Sequence, residues 1–321
     1  MVNSVMVSTG SRLHLGLTRI RPAGTGRYGG LGVMIEQPRT TVHVARNPTA
    51  RDPDYPVSRA ERFARRWIRS LDHSPREPLS VRLTESPPEH SGFGSGTQLA
   101  QAVAAGVNRV LDLPAPDGLQ VARILDRGNR SMVGSLGFAM GGCLVDDANP
   151  ASGQTGLADV LQHRRAIPET WRVLLVRHQP TRRTFGERER AAFDRLGNGD
   201  GEAARHLEQL IDERILPALE AADFSAFGEA VFEYGQVSGN YYSEIQGGPY
   251  NGPHVTRIVD LLRGSGVQGV GQSSWGPVVF GWCRDDAQAD AVARQIELQW
   301  GADCEVTGSG VCNVPAIIRA E

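Results

Sequence analysis

The sequence predicts an α+β protein built in two parts, and three observations carry that prediction. Alternating apolar residues open the chain, a glycine-rich loop runs straight into an amphipathic helix, and in the second half strands are separated by helices. With 321 residues, 40% of them apolar, the chain is long enough for two ordinary domains. Polar, turn-rich intervals at 147–154 and near Pro168 place the boundary near residue 165, giving parts 1–165 and 166–321.

Taken in order, Val2 to Ser8 alternates as a half-buried strand does, and Gly30 to Glu36 and Thr40 to Val44 read as strands joined around Pro38. Val57 to Leu71 has helical spacing, and Leu79 to Leu83 reads as a strand. Leu99, Ala102, Val103, Gly106, Val107, Val110 and Leu111 recur at three- and four-residue steps, with Ser95 or Thr97 as the cap. A helix near Leu119 to Arg127 and a strand pair around Phe138 and Leu144 to Asp146 complete the first part. The second part opens on the strand Trp171 to Val176. Helices follow at Glu187 to Leu196, Glu202 to Leu210, Phe224 to Val237, Asn251 to Arg263 and Ala287 to Trp300. Strands are predicted at Val267 to Val270, Val278 to Trp282 and Cys304 to Thr307.

Composition narrows the function. A net charge of -2 and a pI near 6.5 give no concentrated basic excess of the kind that nucleic acid or an anionic membrane attracts, so neither partner is expected. No stretch of eighteen apolar residues and no basic leader is present, and the expected location is the cytoplasm. Lysine is absent, which removes the P-loop lysine and any Schiff-base or nucleophilic lysine and leaves arginine and metal to neutralise phosphate. Cys143, Cys283, Cys304 and Cys312 have neither C-x-x-C nor zinc spacing, so buried reduced thiols are expected.

The chemistry concentrates in glycine-rich segments. P-E-H-S-G-F-G-S-G-T-Q, Pro88 to Gln98, suits phosphate: glycine permits a close turn, and the helix behind it offers unpaired amides and the positive end of its dipole. V-Q-G-V-G-Q-S-S-W-G-P-V-V-F, Val267 to Phe280, reads either as a second amide cradle from the other half or as a hairpin turn with Trp275 packed on it. G-R-Y-G-G-L-G-V, Gly26 to Val33, sets Arg27 and Tyr28 beside Gly29 and Gly30, as a lid over the ligand or as a connecting arm. In R-L-H-L-G-L, Arg12 and His14 stand two apart on a strand and share a face, where they serve an anion or the structure. Arg62, Arg65, Arg66 and Arg69 form a stripe that reads as a solvated helix face, and Arg182 and Arg183 lie in a loop within reach of an anion.

G-N-R-S-M-V-G-S-L-G-F-A-M-G-G, Gly128 to Gly142, together with the Pro88 and Val267 loops, resembles the third landmark of the GHMP small-molecule kinases. Those kinases carry S-G-I-D here; this chain has S-M-V-G, so Met132 replaces a glycine and Gly134 takes the place of the acid-base aspartate. R-L-H-L-G-L, R-Y-G-G-L-G-V, P-E-H-S-G-F-G-S-G-T-Q, Q-G-G-P-Y and G-Q-S-S-W-G-P together resemble a branch of that superfamily, the β-ribofuranosylaminobenzene 5'-phosphate synthases, from about Arg12 to Phe280. The resemblance implies a left-handed β-α-β amino-terminal domain of the ribosomal protein S5 domain 2 type and a ferredoxin-like carboxy-terminal domain. It also implies a homodimer and condensation of phosphoribosyl pyrophosphate with 4-aminobenzoate or 4-hydroxybenzoate, releasing pyrophosphate and CO2 on the way to methanopterin-type cofactors. Rivals are an ATP-dependent kinase and a ligand-binding relative without catalysis.

On that resemblance the expected catalytic residues are Arg12, His14, Arg27 and Arg130. The expected substrate contacts are Tyr28, Gly29, Gly30, His90, Gly92, Gly94, Ser95, Gly96, Thr97, Gln98 and Ser131, with Gln246, Gly247, Gly248, Gly269, Gly271, Gln272, Ser273 and Ser274 from the second part. The expected cofactor is Mg2+, with Glu36 and Glu89 as its carboxylates.

Overall fold

One long strand, β1 (Ser4–Leu17), is the spine of the molecule: most of its side chains are buried, and both the first sheet and the second half of the chain pack on it. The structure is a computed structural model that describes residues 2–19, 29–46, 57–71, 78–146, 156–178 and 201–321. Arg27, Tyr28, Arg182, Arg183 and the helix expected at 187–196 lie outside the described residues.

The first sheet is six-stranded. β2 (Gly30–Arg46) pairs with β1, and β3 (Leu79–Glu85) and β4 (Cys143–Asp146) pair with opposite ends of β2. β5 (Leu161–Arg165) adds to β4, and β10 (Ile317–Ala320) returns from the end of the chain to pair with β1. The β1–β2 register shifts between Thr9 and Ser11, opposite Pro38, whose ring nitrogen cannot donate to a ladder. One face is covered by α1 (Arg59–Arg69), α2 (Ser95–Val110), α3 (Gly118–Ile124) and α4 (Val133–Met140). Val7, Val44, Val103, Val107 and Trp67 meet there in a closed apolar cluster. Each Val or Leu fully buried in such a cluster contributes about 1.5–3 kcal/mol.

A short turn at 166–170 leads into the second sheet, ordered β7 (Gln268–Gln272), β8 (Val279–Cys283), β6 (Arg172–His178), β9 (Cys304–Gly310), all pairs antiparallel. A helical run covers one side: α5 (Gly201–Gln209), a π turn at Leu210–Ile215 and α6 (Leu216–Glu220) lead into α7 (Phe224–Asn240). α8 (Ser243–Gln246), α9 (Pro253–Gly264) and α10 (Asp286–Trp300) complete the lobe. Trp171, Phe224, Phe227 and Trp282 stack edge-on or tilted at its centre, in a cluster that runs on to Leu13, Leu15 and Leu31 of the first sheet.

Two expectations are corrected. The segment around Phe138 is a helix, not a strand: V-G-S-L-G-F-A-M is a short apolar run whose period does not distinguish the two, and Gly141 and Gly142, both at positive φ, break it off from β4. Neither Ser95 nor Thr97 caps α2; the cap is Gly94, left-handed at φ 66, with no side-chain hydrogen bond. The four cysteines are buried and unpaired, as composition suggests, and burial raises all four thiols. No helix among the described residues is long and apolar enough to cross a membrane.

Candidate active site

Floor, loop and helix converge on a cleft of about 400 Å³. Its floor is the end of β1, where Arg12 and His14 point the same way. The Arg12 amide donates to the Phe93 carbonyl at 3.0 Å, which seats the glycine loop on the strand. A Cβ on Gly94 would stand 3.3 Å from Arg12 Nε, and one on Gly30 would stand 2.7 Å from His14 Nε2, so both glycines let a side chain lie against backbone.

The cleft is electropositive and holds polar atoms without partners. Arg12 Nε and His14 Nε2 are buried and make no hydrogen bond, although His14 is only 4% exposed. Burial lowers the Arg12 guanidinium to about 10, with nearby Arg130 adding to the effect and Asp146 opposing it. Burial, Arg12 and Arg130 together hold His14 well below the usual imidazole range, so it is neutral. An orphaned buried donor costs about 1–3 kcal/mol, which a bound anion or hydroxyl recovers.

One wall is the loop between α3 and α4, where Asp126, Arg127, Gly128, Asn129, Arg130 and Ser131 face the cleft beside His90 and Thr97. Asp146, at the end of β4, anchors that loop from beneath: its carboxylate accepts from the Met132 amide at 2.6 Å, from Ser131 Oγ at 3.2 Å and from the Gly30 amide. Burial pushes Asp146 up to about 7 against those hydrogen bonds. Arg127 Nη1 would lie 3.1 Å from a Cβ on Gly96, and Arg59 crowds the same point, so two guanidiniums flank the uncapped start of α2.

The opposite wall comes from the second half. Gly235, Ser238 and Gly239 of α7 are joined by Tyr242, Gln246, Pro249, Tyr250, Gln272, Ser274 and Trp275. Tyr242 and Trp275 pack with ring centroids 5.0 Å apart, an aromatic surface at the cleft side. Docking of this wall on β1 is tight: Ser238 Oγ donates to the Leu17 carbonyl at 2.8 Å, and Tyr234 Oη to that of Gly16 at 3.1 Å.

The structure thus brings together Arg12, His14, His90, Thr97, Arg130, Ser131, Gln246, Gln272 and Ser274. Gly92, Gly94, Ser95 and Gly96 form the turn and first helical residues beside them, and Gly29 is the turn residue that leads into β2. Other expected residues have different work. Ser273 Oγ donates to the Gly92 carbonyl at 2.7 Å and accepts from the His14 amide at 3.0 Å, so it ties the two halves together and is spent. Gly269 and Gly271 are packing glycines; a Cβ there would meet Trp282 at 2.6 Å and Phe280 at 2.7 Å. Gln98 is buried between Thr9 and the Gly134 carbonyl. Gly247 and Gly248 turn the chain at positive φ without lining the cleft. The second segment is therefore a docking hairpin that lends Gln272, Ser274 and Trp275, not an amide cradle.

The metal ligands are corrected too. Glu36 lies in a separate groove with Arg39, Arg172 and Asp286, and Glu89 is exposed and paired with Arg59 at 3.0 Å. Among the described residues no group of three or more His, Cys, Asp or Glu could hold a metal, and Asp126 is the sole carboxylate lining the cleft.

Sequence reading missed Asp146, Arg127, Arg59 and Tyr242. For Asp146 a signal existed, an acid closing the apolar run Cys143–Val145; Arg127 stands one residue before the G-N-R-S string.

Comparison with known proteins agrees with the geometry. Residues 56–142 match the GHMP kinases N terminal domain and residues 215–302 the GHMP kinases C terminal family, and the chain belongs to that superfamily. A homoserine kinase from Cytophaga hutchinsonii superposes with a TM-score of 0.65 at 13% identity, covering 99% of this chain and 98% of its own. Within the superfamily the chain is an enzyme of the branch represented by beta-ribofuranosylphenol 5'-phosphate synthase. The Methanothermobacter thermautotrophicus protein of that name is 26% identical over 96% of this chain and 97% of its own length. The Archaeoglobus fulgidus one is 27% identical over 90% of each.

Proposed function

We propose that the protein transfers ribose 5-phosphate from phosphoribosyl pyrophosphate to the ring carbon of a 4-substituted benzoate, with release of pyrophosphate and CO2. The 4-hydroxybenzoate form is favoured because the relatives are named for a phenol product. The observation that carries the reading is the pair of orphaned nitrogens, Arg12 Nε and His14 Nε2, on the floor of a cleft with guanidiniums at one side and an aromatic pair at the other.

The chemistry suits these groups. Breaking the anomeric bond gives the ribose oxocarbenium character and leaves negative charge on the departing diphosphate. The amide end of α2, Arg127 and Arg130 stabilise that charge where it develops. Tyr242 and Trp275 offer the benzoate ring a face, and Arg12 an ion pair for an anionic group. The ring carbon bearing the carboxylate attacks, and loss of CO2 restores aromaticity without removal of a ring proton. Magnesium would enter with the diphosphate rather than on a protein site, as Mg2+ bound through substrate phosphates does. The product would feed methanopterin-type cofactor synthesis, and the working unit would be a homodimer.

A kinase reading is disfavoured by Gly134, where the acid-base aspartate would stand: a Cβ there is already 3.1 Å from Thr97 Cγ2, leaving a larger side chain little room. Incubation with phosphoribosyl pyrophosphate, Mg2+ and carboxyl-labelled benzoate should release labelled CO2 only when both substrates are present. Arg12→Ala should lower that release by about 10²-fold, the loss of one charge-assisted contact near 3 kcal/mol. Phosphate transfer from ATP to an acceptor, without CO2 release, would reverse the assignment.

A further inference from the structure

His14 holds a position that its backbone fixes completely. Its amide donates to Ser273 Oγ at 3.0 Å and its carbonyl accepts from the Ser274 amide at 3.2 Å, so both peptide groups are tied to the second half of the molecule. His14 lines the cleft floor, and beneath the ring Gly30 leaves room for Nε2, which is buried with no hydrogen-bond partner. Arg12, whose Nε is equally orphaned, is two residues away on the same strand face, its Cα about 7 Å along the strand.

We infer that His14 Nε2 accepts the hydroxyl proton of a 4-hydroxybenzoate during attack on the ribose, a proton transfer that a ring carrying an amine does not ask of it. The inference rests on the transferase reading above. As the ring carbon forms its bond to the anomeric carbon, the anomeric C–O bond breaks and its electron pair leaves with the diphosphate. The para oxygen then becomes that of a protonated dienone and passes its proton to Nε2. Next the bond to the carboxylate breaks, CO2 departs, its electron pair restores the aromatic ring, and the oxygen takes the proton back from the imidazolium. Proton and electrons balance with no other reactant. An amine differs at one point: its positive charge rests on nitrogen as an iminium that keeps its protons, so no acceptor is required.

The surroundings suit a temporary acceptor. Arg12 on the same strand and Arg130 on the α3–α4 loop face the imidazole, and Asp146 on β4 faces Arg12. Burial and the two guanidiniums disfavour the imidazolium, so His14 begins neutral and gives the proton back readily. A protonated dienone is acid enough to protonate even a weak base.

The test is CO2 release from phosphoribosyl pyrophosphate and Mg2+ with each labelled benzoate, comparing wild type with His14→Gln and His14→Asn. Turnover of 4-hydroxybenzoate should fall at least about 10²-fold further than that of 4-aminobenzoate, with a urea midpoint like that of wild type showing that the fold is intact. Equal loss on both rings, or unchanged turnover of the hydroxylated ring, overturns the role. Wild-type release from 4-aminobenzoate alone leaves the transferase reading standing and removes the role of His14. Release from neither overturns both.

Discussion

Asp146 is a carboxylate the protein can afford only because its oxygens are so well supplied with donors. Met132, Ser131 and Gly30 all point at it, yet burial still raises it to about 7 from an ordinary 3.8. The sign of the consequence is fixed. In the unfolded chain the group ionises near 3.8, whereas in the fold it keeps its proton until about 7, so its contribution to stability is intact below 3.8 and is lost as pH rises towards 7. Asp146→Asn keeps an acceptor for the Met132 amide and carries no charge. The stability difference between pH 5 and pH 8 should therefore shrink in this variant by about 2–3 kcal/mol relative to wild type, read from urea unfolding at both pH values. An unchanged pH response would mean that Asp146 is ionised and paid for elsewhere, with Arg12 the obvious counter-charge.

Among the elements, the Ser273 hairpin joins the two halves through the Ser273 hydroxyl and the Ser274 amide. Ser273→Ala would strand the His14 amide and the Gly92 carbonyl together, which at about 1–3 kcal/mol for an unsatisfied buried group should lower stability by roughly 2–4 kcal/mol. A urea midpoint within error of wild type would refute that. The hairpin also marks how far sequence reading reached. Its glycines and serines were legible as unusual, but whether they hold phosphate or hold the protein depends on what packs behind them. Phe280 and Trp282 lie behind Gly271 and Gly269, and Gly92 lies across from Ser273. The glycine loop and α2 were legible because local spacing alone writes them, whereas the α4 helix was not, its eight residues fitting either period. Arg12 and His14 were readable as a pair on one face. Tyr242 joins the site only through contacts distant in sequence, so no local pattern announced it, and for Asp146 the acid closing an apolar strand was a signal that did not say what the carboxyl would hold.

At the scale of the whole molecule, the cleft takes its lining from both halves of the chain, and any ligand that fills it bridges them. Pyrophosphate with Mg2+ should therefore raise the temperature of a single unfolding transition, by about 2.7 kcal/mol of stability at a hundredfold excess over its dissociation constant. A calorimetric scan in which only part of the protein responds would show that the diphosphate contacts one half alone. The shared core argues for one transition, since Leu13, Leu15 and Leu31 lie in the same apolar cluster as Trp171, Phe227 and Trp282.

Strand β10 lies beside β1 with Val5 opposite Ala320 and the Glu321 amide bonded to the Ser4 carbonyl. The two extremities of the sequence thus meet within one ladder. Closing so long a loop is entropically slow, so this pairing forms late relative to the local hairpins of the first sheet. Until it forms, the strand that carries Arg12 and His14 has a bare margin, and a segment some three hundred residues away in sequence is the one that seals it.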